Sequence, residues 1–149
     1  MAFALGRGFR YVTIEPEPAD NTLGHVLYAP WPRSARPDVE MTPRTRILCE
    51  QSIITALAGP RAEKHFTGRW NNAGARSDHS TAFDFAQRVC GSSESAEAYL
   101  KWLDVRIREL VEGPRWQPAI RALADALLLK KRLTKDEAHD VMTQAFRVR

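Results

Sequence analysis

The pattern of apolar and polar residues changes near Thr42, from a period of two before it to a helical period after it. Phe9 to Ile14 alternates bulky and polar residues and is rich in β-formers, so it predicts a strand. Gly24 to Tyr28 predicts the returning strand, after a turn predicted at Glu15 to Asn21, where two prolines fall. These segments predict a small hairpin or part of a three-stranded sheet.

Two irregular segments flank these strands. Met1 to Gly6 resembles the last turn of a helix closed by glycine. Ala29 to Met41 carries three prolines and two arginines and has no periodicity, so it predicts a loop.

A long helix is predicted from Thr42 to about Phe66. Thr42 is a favourable N-cap, and Pro43 occupies the first helical position, where a missing N–H costs nothing. The Gly59-Pro60 pair predicts a kink or a break into two segments. The predicted apolar face consists of Ile47, Leu48, Ile54, Leu57, Ala58 and Ala62.

Three further helices are separated by turn-forming residues. A turn is predicted from Thr67 to Ala75, and Ser77 or Asp78 is predicted to cap the second helix. Gly91-Ser92-Ser93 ends that helix and opens the third, and Gly113-Pro114 separates the third from the fourth. Their predicted apolar stripes are Ala82, Phe83, Ala86 and Val89; Tyr99, Leu100, Leu103, Ile107 and Leu110; and Trp116, Ile120, Leu123 and Leu127.

A capping box, Thr134-x-x-Glu137, marks the start of the last helix. Its predicted buried residues are Ala138, Val141, Met142 and Ala145. The chain is therefore predicted to be mainly α, a helical bundle with a small N-terminal β-hairpin or sheet. A single domain is expected over residues 1–149, with the β element and loop in 1–41 and the bundle in 42–149.

Composition narrows the class of protein. Of 149 residues, 44% are hydrophobic and 27% are charged, which is ordinary for a globular domain and excludes wholesale disorder. A formal charge of +4 is too small for the dense basic surface of a committed nucleic-acid binder. No apolar run suits a membrane span or a signal peptide, so a cytoplasmic location is expected. Cys49 and Cys90 match no metal or redox spacing and are predicted to be buried free thiols.

Several catalytic motifs are absent from the sequence. There is no G-x-x-x-x-G-K-[ST] phosphate loop and no G-x-S-x-G nucleophile elbow. The four histidines, His25, His65, His79 and His139, include no pair spaced by four residues, so no H-E-x-x-H zinc helix is present.

The candidate carboxylates are Glu63, Asp78 and Asp84. Glu63 lies mid-helix beside small residues and is predicted to be a buried or half-buried acid paired with an arginine. Asp78, at a predicted helix start, suits either a cap or a metal ligand. His65 is predicted to be half-buried and His79 to be exposed in the first turn of the second helix. The tryptophans are Trp31, Trp70, Trp102 and Trp116, and packing is their expected role. Trp102 lies off the main apolar stripe of its helix and Trp70 lies in a predicted turn, so one of these two is a candidate to lie at an interface or to stack on a ligand.

The order of motifs resembles the peptidase domain of FtsH-type ATP-dependent zinc metalloproteases. The similar residues are Ile53-Ile54-x-x-Leu57-Ala58-Gly59-x-x-Ala62-Glu63, then Gly68, then Gly74-Ala75-x-Ser77-Asp78-x-x-x-Ala82. In that family a long helix carries A-G-x-x-A-E, and a following G-A-x-x-D supplies an aspartate as the third zinc ligand. Asp78 matches that aspartate. The resemblance covers roughly two-thirds of the chain, and its specificity lies in the order and spacing of the motifs.

The resemblance implies zinc as cofactor and a peptide or protein substrate. It also implies that Met1 to Ile14 matches the segment just after the family's H-E-x-x-H helix. The sequence as written lacks that helix, and it also lacks the family's AAA module and membrane anchor. Hydrolytic zinc needs three protein ligands, a water and a general base, and Asp78 is one ligand. The chain as written is therefore expected to be a truncated or inactive relative, with no catalytic residues, and to bind zinc weakly or not at all by itself.

Three interpretations remain open: the peptidase-domain relative, an interaction module, and a metal enzyme with a new ligand set. The interaction module would bind protein or nucleic acid through a basic face beside Trp31, formed by Arg33, Arg36, Arg44 and Arg46. In the peptidase interpretation, exposed apolar surface makes self-association an additional expectation.

Overall fold

The computed structural model describes residues 1–16, 24–69 and 72–147, with the backbone alone for 72–74. Within these residues the fold is mainly α with a small antiparallel sheet, as predicted. The elements are β1 (Phe9–Thr13), β2 (His25–Tyr28), α1 (Pro43–Thr67), α2 (Asn72–Val89), α3 (Ser93–Glu112), α4 (Gln117–Lys130), β3 (Arg132–Thr134) and α5 (Lys135–Arg147). None of the helices in the described ranges combines the length and the apolar character that crossing a bilayer requires.

The elements cluster into two compact units. The first contains residues 31–113 with α1, α2 and α3, together with Met1. The second contains the described residues of 2–30 and 114–149, so the strands cluster with α4 and α5. The expectation of a single domain stays a prediction.

The first unit is built on α1. Thr42 caps this helix, because its hydroxyl accepts the Thr45 N–H at 3.1 Å, and Pro43 follows at the first position, as predicted. A further cap begins α3, where the Ser92 hydroxyl accepts the Ser95 N–H at 3.1 Å. The buried apolar residues of the unit are Cys49, Ile53, Ile54, Ala58, Ala82, Ala86, Ala96, Leu100, Leu103, Ile107 and Val111. Five of these are alanine or cysteine, and such small side chains let helix backbones approach closely.

Two predictions about α1 are wrong in part. The helix continues through Pro60 as one element, so the break into two segments, one of the two alternatives predicted at Gly59-Pro60, does not occur. Of the predicted apolar face, Ile54 and Ala58 are buried, but Ile47 is 58% exposed. Cys49 and Ile53, which were not assigned to that face, are fully buried. Apolar residues occur on more than one side of α1, so their spacing alone does not determine which side is buried.

The start of α2 also differs from the prediction. The helix begins at Asn72, so Ser77 and Asp78 lie within it and cap nothing. A favourable cap contributes about 1 kcal/mol, which helix packing readily outweighs. The predicted turn is therefore shorter than Thr67 to Ala75: α1 closes at Gly68 in the left-handed conformation, and residues 70–71, including Trp70, lie outside the described residues.

The second unit is organised around β1. The sheet has the order β2-β1-β3, with both pairs antiparallel, and Val12 lies opposite Val26 on one side and Leu133 on the other. The first two strands were predicted; the third, a short segment between α4 and α5, was not. Leu127, Leu133 and Ala138 form the core, and the partly buried residues around it are Phe9, Val12, Ile14, Leu123 and Ala126. The turn predicted at Glu15 to Asn21 lies mostly outside the described residues.

Residues 2–7 form the hydrogen bonds of a glycine-closed helix C-terminus, as predicted. The Arg7 N–H donates to the Ala2 carbonyl at 2.9 Å and the Gly6 N–H donates to the Phe3 carbonyl at 3.2 Å. Gly6 has φ +66°, a left-handed conformation that glycine adopts without strain. The Phe3 ring then packs among the rings of Trp116, His139 and Phe146.

The capping box of α5 is confirmed. The Thr134 backbone N–H donates to Glu137 Oε2 at 2.9 Å, and the Glu137 N–H donates to Thr134 Oγ1 at 3.3 Å. Lys130 Nζ lies 2.7 Å from Glu137 Oε1. Hydrogen bonds from Lys130 and Thr134 lower the pKa of Glu137 to about 2.

We expect this capping box to make the free energy of unfolding depend on pH in the acidic range. Because the folded pKa of Glu137 lies below the unfolded value, its contribution is complete above about pH 4.5 and is lost as the pH falls toward 2. Glu137→Gln should flatten this part of the unfolding free energy against pH, and Thr134→Ala should lower stability by about 1 kcal/mol at pH 7. Urea denaturation across pH 2–7 measures both effects; parallel curves for wild type and Glu137→Gln would contradict the assignment.

Candidate functional site

The two halves of the family-like motif meet where α2 packs against α1. A Cβ atom placed on Gly59 of α1 would lie 3.8 Å from Oδ2 of Asp78 on α2. The Asp78 carboxylate therefore lies against the glycine of the A-G-x-x-A-E segment. The packing of α2 on α1 thus brings together two motifs whose residues Gly59 and Asp78 are 19 positions apart in the sequence.

Asp78 is a half-buried carboxylate that has no compensating group among the described residues. It makes no hydrogen bond or ion pair with any residue that the structure describes. Burial raises the pKa of its carboxyl above the ordinary value. A desolvated acid that lacks a cation or donor costs stability, which is a feature of carboxylates kept for function.

Gly59 supports the same interpretation. Glycine inside a helix costs roughly 1 kcal/mol relative to alanine. A methyl group at this position would make only an ordinary van der Waals contact with Asp78, so packing does not require glycine here. The absent side chain leaves space beside the carboxylate, which a ligand of Asp78 needs.

Glu63 and His65 do not lie as predicted. Both are exposed, and Glu63 makes no ion pair with an arginine in the described part of the chain. The reason is that residues 63–67, the last turns of α1, are all exposed and project beyond the packed part of the helix. Because Glu63 is exposed, packing does not hold its side chain near Asp78.

The remaining candidates are dispersed. His79 is exposed, as predicted, but lies in the second turn of α2 because that helix starts early. Asp84 is exposed as well. His25 belongs to β2 of the second unit, where its Nε2 lies 3.2 Å from the Tyr11 hydroxyl. Among the described residues, no three side chains of the His, Cys, Asp and Glu types come together as a metal-binding group.

Two of the three described tryptophans serve packing. Trp31 is half-buried against Phe85, with 5.5 Å between ring centroids, and Trp116 packs on Phe146 at 5.0 Å. Trp102 is 51% exposed, as its off-stripe position predicts. The four arginines of the proposed basic face, Arg33, Arg36, Arg44 and Arg46, are all exposed.

The cysteines are free thiols. Cys49 is fully buried, as predicted, and burial raises the pKa of its thiol. Cys90 is half-buried rather than buried, because it follows the last residue of α2, where the chain turns toward α3.

Sequence reasoning missed two polar contacts between α1 and α3. Arg61 Nε donates to Asp104 Oδ1 at 2.5 Å, and its Nη2 donates to Oδ2 to complete a bidentate pair. The Tyr99 hydroxyl donates to Glu50 Oε2 at 2.6 Å. No short-range motif signals pairs separated by 43 and 49 residues; they emerge from helix packing.

Comparison with known proteins adds no assignment. No family model matches this sequence, and no curated protein matches it significantly. The resemblance to the FtsH-type peptidase domain therefore rests on the sequence motifs alone.

We expect Asp78→Asn to stabilise the protein at neutral pH. The folded pKa of Asp78 is raised, so the folded state loses stability as the pH rises from about 3.8 through that pKa. Removing the charge should recover less than about 1 kcal/mol, since water partly screens a half-exposed group. The gain should vanish below about pH 3.8.

Urea denaturation at pH 3, 5 and 7 measures this difference, with Asp84→Asn as the matched control on the same helix. Asp84 is exposed, so its neutralisation should change little. A loss of stability in Asp78→Asn at pH 7 would mean that the carboxylate has a stabilising partner, contrary to our interpretation.

Proposed function

We propose that this chain is a relative of the peptidase domain of FtsH-type zinc metalloproteases, and that Asp78 is its acidic metal ligand. The observation that carries the proposal is the proximity of the Asp78 carboxylate to Gly59 of the A-G-x-x-A-E helix, where an added Cβ atom would lie 3.8 Å from Oδ2. Two further observations support it: Asp78 has no hydrogen-bond or ion-pair partner within the described ranges, and burial raises the pKa of its carboxyl.

The described residues do not by themselves fit a complete hydrolytic zinc site. Such a site needs three protein ligands, and Asp78 is the one that the resemblance assigns here. The sequence as written contains no H-E-x-x-H, the source of the other two ligands and of the base in that family. We therefore assign no hydrolytic step to this chain, and a peptide or protein remains its proposed partner class.

The first experiment is the intact mass of the protein from its native source, together with translation of the DNA upstream of Met1. An in-frame H-E-x-x-H helix, present in the native mass, would support a working protease with Asp78 as its third ligand. A native chain that begins at Met1 would exclude peptidase activity for this protein and leave a binding function for the same fold.

The second experiment tests Asp78 directly. A chain extended at its N-terminus by a helix carrying H-E-x-x-H should bind one zinc ion, measured by elemental analysis after gel filtration. Asp78→Asn in the extended chain should weaken zinc binding at least about tenfold. Asp84→Asn is the control and should bind zinc like the parent. Equal zinc content in the Asp78→Asn and parent chains would overturn the ligand assignment.

A further inference from the structure

A groove of about 700 Å³ lies among α1, α2 and α3, separate from the Asp78 contact. Neither Gly59 nor Asp78 is among the described residues that line it. Its volume falls in the range of sites that hold small organic ligands. The lining is mainly apolar, and its largest apolar side chains are Leu57, Phe83 and Leu100.

The charged residues around this groove carry a positive surplus. Arg61 and Asp104 neutralise each other through their bidentate pair, and the hydrogen bond to Asp104 raises the pKa of Arg61. The other charged side chains of the lining are the cations Arg76 and Lys101 and the acid Glu97, with the imidazole of His79 beside them. The groove therefore favours an anion over a cation.

Two of these polar groups are available to a ligand. Lys101 and His79 make no hydrogen bond or ion pair with residues in the described ranges, and both are exposed. Lys101 follows the buried Leu100 directly on α3, so an ammonium group and an apolar surface lie side by side. An ammonium on a flexible stem can reach a carboxylate without forcing the rest of the ligand away from the apolar wall.

The residues of α2 that line the groove also include both basic and apolar side chains. Arg76, His79 and Phe83 follow one another at helical spacing of three and four, so they lie along one stripe. Arg76 and Phe83 are separated by seven positions, which is about 10 Å along the helix axis. The groove thus has a basic end toward the start of α2 and an apolar end one to two turns later.

We propose that this groove binds an amphipathic carboxylate, an organic acid with an apolar tail. The carboxylate interacts with Lys101 and His79, and the tail lies over Phe83 and Leu100. Glu97 disfavours a second negative charge in the groove, so a monocarboxylate is preferred over a dicarboxylate. This site is independent of the proposed metal ligand, because none of its residues is assigned to zinc.

The probe is sodium decanoate, added to the full chain in its ¹⁵N-labelled form below the micelle concentration. We expect saturable shifts of backbone amide signals at Phe83, Leu100 and Lys101. Decyltrimethylammonium, which has the same tail with the opposite charge, should bind at least about fivefold more weakly. Acetate, which has the charge without the tail, should give no saturable shift.

Three variants test the charge assignment. Lys101→Gln should weaken decanoate binding about threefold to fivefold, and its exposed position keeps the fold intact. Lys135→Gln, at an exposed lysine that begins α5, is the matched control and should bind like wild type. Asp104→Asn removes the charge that neutralises Arg61 and should strengthen binding.

Any of three results would overturn the proposal. The first is an absence of saturable shifts with decanoate, or shifts that lie outside the groove. The second is equal binding of decanoate and decyltrimethylammonium, which would show that the basic end has no role. The third is equal decanoate affinity in Lys101→Gln and Lys135→Gln.

Discussion

Close packing through small side chains is the constraint on which the first unit depends. Ala58, Ala82, Ala86 and Ala96 are all buried, so α1, α2 and α3 approach one another with little side-chain volume between them. Where α2 packs on α1, the Asp78 carboxylate lies near Gly59, 3.8 Å from the place that a Cβ atom would take there. The partial burial of this acid is thus a consequence of the same packing that holds the helices together.

The energetic character of the Asp78 site differs from that of the neighbouring Arg61–Asp104 pair. Asp104 has a bidentate partner that compensates its removal from water, whereas Asp78 has none among the residues described. The two acids, on adjacent helices, therefore have opposite effects: the partner of Asp104 stabilises its charge, whereas the charge of Asp78 lowers the stability of the fold.

Local signals in the sequence predicted the parts of the structure that are determined locally. Thr42, Ser92 and the Thr134-x-x-Glu137 box set helix starts because their hydrogen bonds span three residues. The misplaced features depend on distant contacts. Ser77 was predicted as a cap because the capping preference of serine takes no account of helix packing. Glu63 was predicted to be buried because its neighbours are small, but the sequence does not show that this end of α1 projects from the packed unit. Asp78 was found through its spacing; its contact with Gly59 required the helices to be placed.

The order of elements along the chain has a consequence for synthesis. The Thr13 hydroxyl donates to the Lys131 carbonyl at 3.1 Å, across 118 residues, and β1 pairs with β3 over a similar separation. At roughly 5–20 residues per second, β1 waits on the order of ten seconds on the ribosome before its second neighbour exists. Residues 31–113, by contrast, form a continuous segment that is complete before α4 is made. The three-helix unit can therefore fold first, while β1 and β2 remain a two-stranded pair in which the edge of β1 that later binds β3 is open.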